Sequence, residues 1–185
     1  AEQQSGQGHA LVIRGEIAVT PHPPIHGAPS WAVAATPATA VKVGLSTLLV
    51  DDPPDLVVSG INRGENVGRA PWYSGTVGAA REAVFSGLPG IAFSLQVDWT
   101  EPKPDYVAAA RWCKPVVDAV RDHGLPPGVL LNVNIPADAA AAFVAGPRRV
   151  DAAAVARVEL AQGEPQRGAH PADLVAEEVE VARPG

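Results

Sequence analysis

The chain has 185 residues, 46% of them hydrophobic and 18% charged, which excludes a disordered protein and suffices for one domain with a core. Fourteen basic against twenty acidic residues leave a net charge of −6, so a general nucleic-acid binder with a basic stripe is excluded. The single cysteine, Cys113, rules out an internal disulfide framework, and no apolar run approaches the ~20 residues of a membrane-spanning helix.

A lone thiol suits a reducing compartment, and the opening Ala1-Glu2-Gln3-Gln4 is neither basic nor apolar enough for a signal peptide. A cytoplasmic protein is expected, with no membrane and no large nucleic acid among its partners. In chain order, residues 10–14 and 30–35 read as strands. Thr36 then offers an N-cap and Pro37 a first helical residue, and Val41, Leu45, Leu48 and Leu49 carry helical spacing to residue 49. Asp51-Asp52-Pro53-Pro54 breaks that helix in what reads as a solvated turn. Residues 55–59 form a short apolar strand of the kind buried on both faces of a parallel sheet.

Ser74 caps a predicted helix over 75–86, Gly87-Leu88-Pro89-Gly90 stops it, and 91–95 is the next strand. Tyr106, Ala109, Ala110, Cys113, Val116, Val117 and Val120 make the apolar stripe of a half-buried helix, which Gly124 ends. Cys113 falls on that stripe as a core residue. Residues 129–135 form another buried strand. Alternating strands and helices imply a three-layer, Rossmann-like α/β domain with a mainly parallel sheet. Beyond Pro136 the pattern changes. Residues 137–145 are alanine-rich, and 155–160 and 174–181 alternate weakly, as in an antiparallel appendage or an interaction arm. The expected division is an α/β core over 1–136 and a short C-terminal segment over 137–185.

The stretch with chemistry begins where the strand over 55–59 runs into a loop carrying Gly60, Gly64 and Gly68, followed by a helix opening Ser74-Gly75-Thr76. Open α/β sheets bind ligands at the carboxyl ends of their strands. Glycines let backbone approach a ligand, and a helix start offers free N–H groups to an anion. Ser74 and Thr76 add hydroxyl donors, while Asn62 and Asn66 supply amide groups suited to a hard metal ion or to ribose or phosphate oxygens. Turn-forming for the loop residues and simple capping for Ser74 stand as the alternatives. Neither a Walker loop nor G-x-G-x-x-G is present, so these residues alone indicate an anion site without fixing its chemistry.

Ser59-Gly60-Ile61-Asn62-x-Gly64-x-Asn66-x-Gly68 followed by Tyr73-Ser74-Gly75-Thr76-Val77-x-Ala79-Ala80-x-Glu82 resembles the signature of the SurE (survival protein E) family. The flanks Pro54-Asp55-Leu56-Val57-Val58, Gly87-Leu88-Pro89 and Leu131-Asn132-Val133-Asn134-Ile135-Pro136 agree with it, as does Gln4-Ser5-Gly6-Gln7-Gly8. The resemblance implies a 5′/3′-nucleotidase, a homo-oligomer dependent on a divalent metal ion such as Mg²⁺ or Mn²⁺, acting on nucleoside monophosphates. Carried across, Ser5 and Asn62 resemble metal ligands, and Asn66, Ser74, Gly75 and Thr76 resemble nucleotide and phosphate contacts. No general base is assigned.

Three features depart from the family pattern. No Asn-Asp-Asp-Gly motif, whose aspartates hold the metal, stands before Ser5, so the core reads as lacking its first strand. Residues 35–40 lack the aspartate of the family's Gly-Thr-Pro-x-Asp-Cys segment, and the tail matches weakly. Two other readings therefore stand beside the nucleotidase: an impaired nucleotide-binding module, and a SurE-like phosphatase for another ester. His22 and His26 are separated by Pro23-Pro24, read as a flexible loop rather than a zinc pair, and His9, His123 and His170 read as isolated. No Gly-x-Ser-x-Gly elbow supports a serine hydrolase.

Overall fold

The computed structural model describes residues 6–100 and 104–137, and the backbone of 157–162. Strands β1 (Val19–Ile25) and β2 (Ala28–Val33) form an antiparallel hairpin. Helix α1 (Pro37–Val43) follows, continued by a π-helical turn over Gly44–Leu48. Then come β3 (Val57–Arg63), the one-turn α2 (Ala70–Tyr73), α3 (Gly75–Phe85), β4 (Gly90–Leu95), α4 (Tyr106–His123), β5 (Val129–Ile135) and β6 (Arg157–Gln162). The main sheet has the order β3-β4-β5-β6, its first three strands parallel and β6 antiparallel to β5.

The layers follow from strand periodicity. Ile91, Phe93 and Leu95 of β4 share one face with Leu131, Val133 and Ile135 of β5, and there they meet Ala108, Ala109, Trp112 and Val120 of α4. Ala92 and Leu130, offset by one residue, face the other way onto Val77 and Ala80 of α3. Helices thus cover both faces, the three-layer α/β arrangement expected of a parallel sheet. Each large aliphatic or aromatic side chain buried this way contributes about 1.5–3 kcal/mol. The α3 side is built to be thin: a Cβ on Gly90 would lie 2.3 Å from the Ala80 carbonyl oxygen, so only glycine lets this helix pack so close to β4.

Several expectations need correction. Residues 10–14 form no strand. Thr36 Oγ1 donates to the Ala10 carbonyl at 2.6 Å and Val12 N–H donates to Thr39 Oγ1 at 2.9 Å, so the N-cap and first-turn threonines of α1 replace a β-ladder. Ile13 is consequently 87% exposed. The strand expected over 30–35 exists but pairs with β1 instead of joining the parallel sheet. His22 lies within β1 rather than in a flexible loop, because a two-stranded ribbon leaves outward N–H positions where prolines cost nothing. His26 and Gly27 both have positive φ, as the tight turn between Ile25 and Ala28 requires.

The helix expected from residue 37 to 49 changes to a π-helical turn at Gly44. Strand β3 is not buried on both faces: it is outermost among the described strands, and Val58 is 50% exposed. The inner stripe of α4 is rotated from the expected one. Ala108 and Trp112 are inside while Tyr106 and Ala110 are exposed, and Cys113, Val116 and Val117 pack against the core as expected. Strand β6 lies where an antiparallel appendage was one of two readings; residues 138–156 and 163–185 lie outside the described set.

Candidate functional site

The carboxyl ends of β4 and β5 meet the loop after β3 at Asn66, and that of β3 meets the start of α3 at Thr76. Between Ser59 and Asn62 the register of β3 against β4 slips: Ser59 is opposite Ala92, yet Asn62 is opposite Ser94. Three steps on one strand against two on the other place one extra residue in β3, a bulge. Because side chains alternate, that extra residue moves Asn62 to the face shared with Ser94, toward α3. Without it Asn62 would stand opposite Leu95, on the face that packs toward α4. Gly60 makes the bulge possible, since its φ is +123° and a Cβ would stand 2.3 Å from the Phe93 carbonyl oxygen.

Re-aimed in this way, Asn62 closes the gap between β3 and α3. Its Nδ2 donates to the Gly64 carbonyl at 2.8 Å, and its Oδ1 accepts from the Thr76 hydroxyl at 3.4 Å. Ser74 caps α3, its Oγ accepting Val77 N–H at 3.2 Å while its carbonyl accepts Gly78 N–H at 2.9 Å. The amides of Gly75 and Thr76 are the remaining first-turn donors with no acceptor inside the helix. Gly75 is packed against the Pro37 ring, where a Cβ would come within 2.9 Å of Cγ. The first turn of α1 therefore abuts the first turn of α3.

Asn66 anchors the loop. It is buried, its N–H donating to Asn134 Oδ1 at 2.7 Å and its Nδ2 to Ser94 Oγ at 2.8 Å, while Asn132 Nδ2 donates to its carbonyl at 2.8 Å. Asn132 and Asn134 stand two apart on β5 and so face the same side. The signal for their role was legible as two amides at strand period in an otherwise apolar run. A second anchor went unread. Glu82 of α3, 2% exposed, accepts from Lys42 Nζ of α1 at 2.9 Å and pairs with His9 Nε2 at 2.7 Å. His9 is therefore not isolated, and its ring also stacks on Phe85. Gly8 N–H donates to the Tyr73 carbonyl at 2.9 Å, fastening residues 8 and 9 beneath the entry to α3.

Of the six residues singled out from sequence, Asn62, Ser74, Gly75 and Thr76 come together at the start of α3. Asn66 lies behind them, its N–H and Nδ2 turned into the β4–β5 network. Ser5 lies outside the described residues. Among the described residues no three His, Cys, Asp or Glu side chains gather, and Asp51 and Asp52 are exposed in their turn. The donors at hand are neutral: one Asn62 oxygen, hydroxyls and backbone amides. They fit an anion. Alone they do not fit a hard dication, which takes several oxygen ligands with carboxylates among them.

The profile of the family described as Survival protein SurE matches residues 1–159. The 5′-nucleotidase SurE of Desulfatibacillum aliphaticivorans is 46% identical over 134 residues, covering 72% of this chain and 51% of the relative. That of Desulforamulus reducens is 43% identical over 135 residues, covering 72% and 52%. The 5′-nucleotidase SurE 1 of Thermus thermophilus is 44% identical over 137 residues, covering 73% and 53%. The crystal structure of the Sure protein from Aquifex aeolicus superposes with a TM-score of 0.62 at 36% identity, covering 71% of this chain and 51% of that one. The chain thus spans about half the length of the curated relatives it matches.

Proposed function

The chain belongs to the SurE family, and from that membership and its anion site we propose that it is a 5′-nucleotidase, cleaving nucleoside monophosphates to nucleoside and phosphate. The observation that carries this reading is the bulge at Gly60, which brings Asn62 to Thr76 at the open first turn of α3. The phosphate would sit on the Gly75 and Thr76 amides and the Thr76 hydroxyl. There it gains charge-assisted hydrogen bonds and the positive end of an 11-residue helix. The two amides, fixed in advance on a capped helix, need no reorganisation as charge shifts during phosphoryl transfer. Asn62, held by Gly64, accepts the single Thr76 hydroxyl proton at 3.4 Å, a long bond that gives way when a phosphate oxygen takes that proton.

Dependence on Mg²⁺ or Mn²⁺, activity on 3′-monophosphates, a cytoplasmic location and homo-oligomeric assembly are further parts of the proposal, supported by the family resemblance. A bound dication would supply charge neutralisation at the phosphate, with Asn62 and Ser5 as its neutral ligands. Because those donors fall short of its needs, this chain's own residues are assigned only to binding and orienting the phosphate. The test is release of phosphate from nucleoside 5′- and 3′-monophosphates by the natural protein, with and without chelator. Hydrolysis of 5′-esters is expected, abolished by chelator. Full activity in excess chelator would remove the metal dependence, and inertness toward all such esters would remove the nucleotidase.

A further inference from the structure

A nucleoside monophosphate has a flat base as well as a phosphate, and the loops beside the anion site present a flat surface. Trp99, just past β4, is 68% exposed, much apolar area to leave in water. Its position is nevertheless built. The indole edge lies over Gly64, where a Cβ would come within 3.0 Å of Cζ2, so any larger residue would crowd the ring. The Arg63 guanidinium sits over the indole, 5.1 Å from the ring centroid. Asp98 Oδ1 accepts from both the Thr100 N–H at 2.8 Å and the Thr100 hydroxyl at 2.6 Å, closing a turn with Trp99 at its tip.

Gly64 is also the residue whose carbonyl holds Asn62, and Asn62 accepts from Thr76. Two residues span at most about 7 Å of chain, so the indole and the phosphate-binding turn flank one short loop. We propose that Trp99, backed by Arg63, is the stacking platform for the base of a nucleoside monophosphate whose phosphate lies at the start of α3. This rests on the nucleotidase reading above and adds to it a selectivity. A π-face reads ring area rather than hydrogen-bonding edges, so larger bases bind better and adenine and guanine are barely distinguished.

The experiment compares AMP with ribose 5-phosphate, which keeps the sugar and phosphate but lacks the base, in the natural protein and in Trp99→Ala and Trp99→Phe. Loss of one stacked base is expected to raise the Michaelis constant for AMP about tenfold in Trp99→Ala. The turnover number and both constants for ribose 5-phosphate should stay within twofold, and Trp99→Phe should recover most of the loss. Equal effects on the two esters, or none on either, would overturn the platform while leaving the nucleotidase intact. If the natural protein hydrolyses neither ester, the nucleotidase reading fails, and calorimetric titration with AMP decides the platform. Binding weakened tenfold by Trp99→Ala then upholds it, and absent or unchanged binding overturns it.

Discussion

Thr76 and Asn66 look alike in the sequence, as polar residues near glycines, but they sit in different environments. Thr76 is half-buried with its hydroxyl on Asn62 Oδ1, at a distance long enough that a phosphate oxygen could draw it away. Thr76→Val keeps the shape and removes the donor. It should raise the inhibition constant for phosphate or vanadate about tenfold while the melting temperature stays within a degree or two. Asn66→Ala behaves differently, because it strips Ser94 Oγ of a buried donor. A loss of about 1–3 kcal/mol in urea unfolding should accompany any rise in the Michaelis constant. Unchanged stability would mean that the Asn66 side chain serves the ligand rather than the loop. Cys113 gives a third contrast. Burial pushes its thiol up to about 11, so little thiolate exists at neutral pH. Iodoacetamide should modify it slowly at pH 7.5 in the folded protein and readily in urea.

Elements set by local chemistry were legible in the sequence, and elements set by pairing were not. Thr36 with Pro37 and Ser74 with Gly75 fixed the starts of α1 and α3, and Gly124 the end of α4. The strands over 91–95 and 129–135 stood out because both faces are buried. The β1–β2 hairpin was half-hidden, since three prolines argue against a strand until its partner is known to lie on one side only. The bulge was hidden as well: Gly60 flags one, but the slipped register appears only against Ser94. Residues 8–9, α1 and α3 are joined through Glu82, and that junction sets the prediction at this scale. Glu82→Ala leaves His9 and Lys42 without their carboxylate. It should cost about 1–3 kcal/mol, because His9 loses a part-buried partner while Lys42, 56% exposed, returns to water. Glu82→Gln, which keeps the shape, should cost less. The opposite order in denaturant midpoints would mean that packing rather than pairing holds this junction.

Across the whole molecule, the proposed anion site is assembled from backbone amides, hydroxyls and carboxamides, and four of the described acidic residues are committed elsewhere. Glu82 is engaged by Lys42 and His9, Asp98 closes its own turn, Asp105 caps α4, and Asp118 faces Lys114 and Arg121. A hard dication needs carboxylates to offset its loss of hydration, and neutral oxygens from Ser5 and Asn62 offer little of that compensation. Residues 1–185 by themselves should therefore bind Mn²⁺ no tighter than about 1 mM, roughly −4 kcal/mol, and release phosphate from nucleoside monophosphates near background. The same residues should still bind vanadate, because the first turn of α3 needs no metal to present its amides. Joining them to a strand that ends in the family's Asn-Asp-Asp-Gly should tighten Mn²⁺ binding by at least a hundredfold and bring turnover with it. Tight Mn²⁺ binding by residues 1–185 alone would contradict the assignment of Ser5 and Asn62 as the metal's neutral partners. Asp51 and Asp52, exposed and unshared with any basic partner among the described residues, would then be the first carboxylates to replace by asparagine.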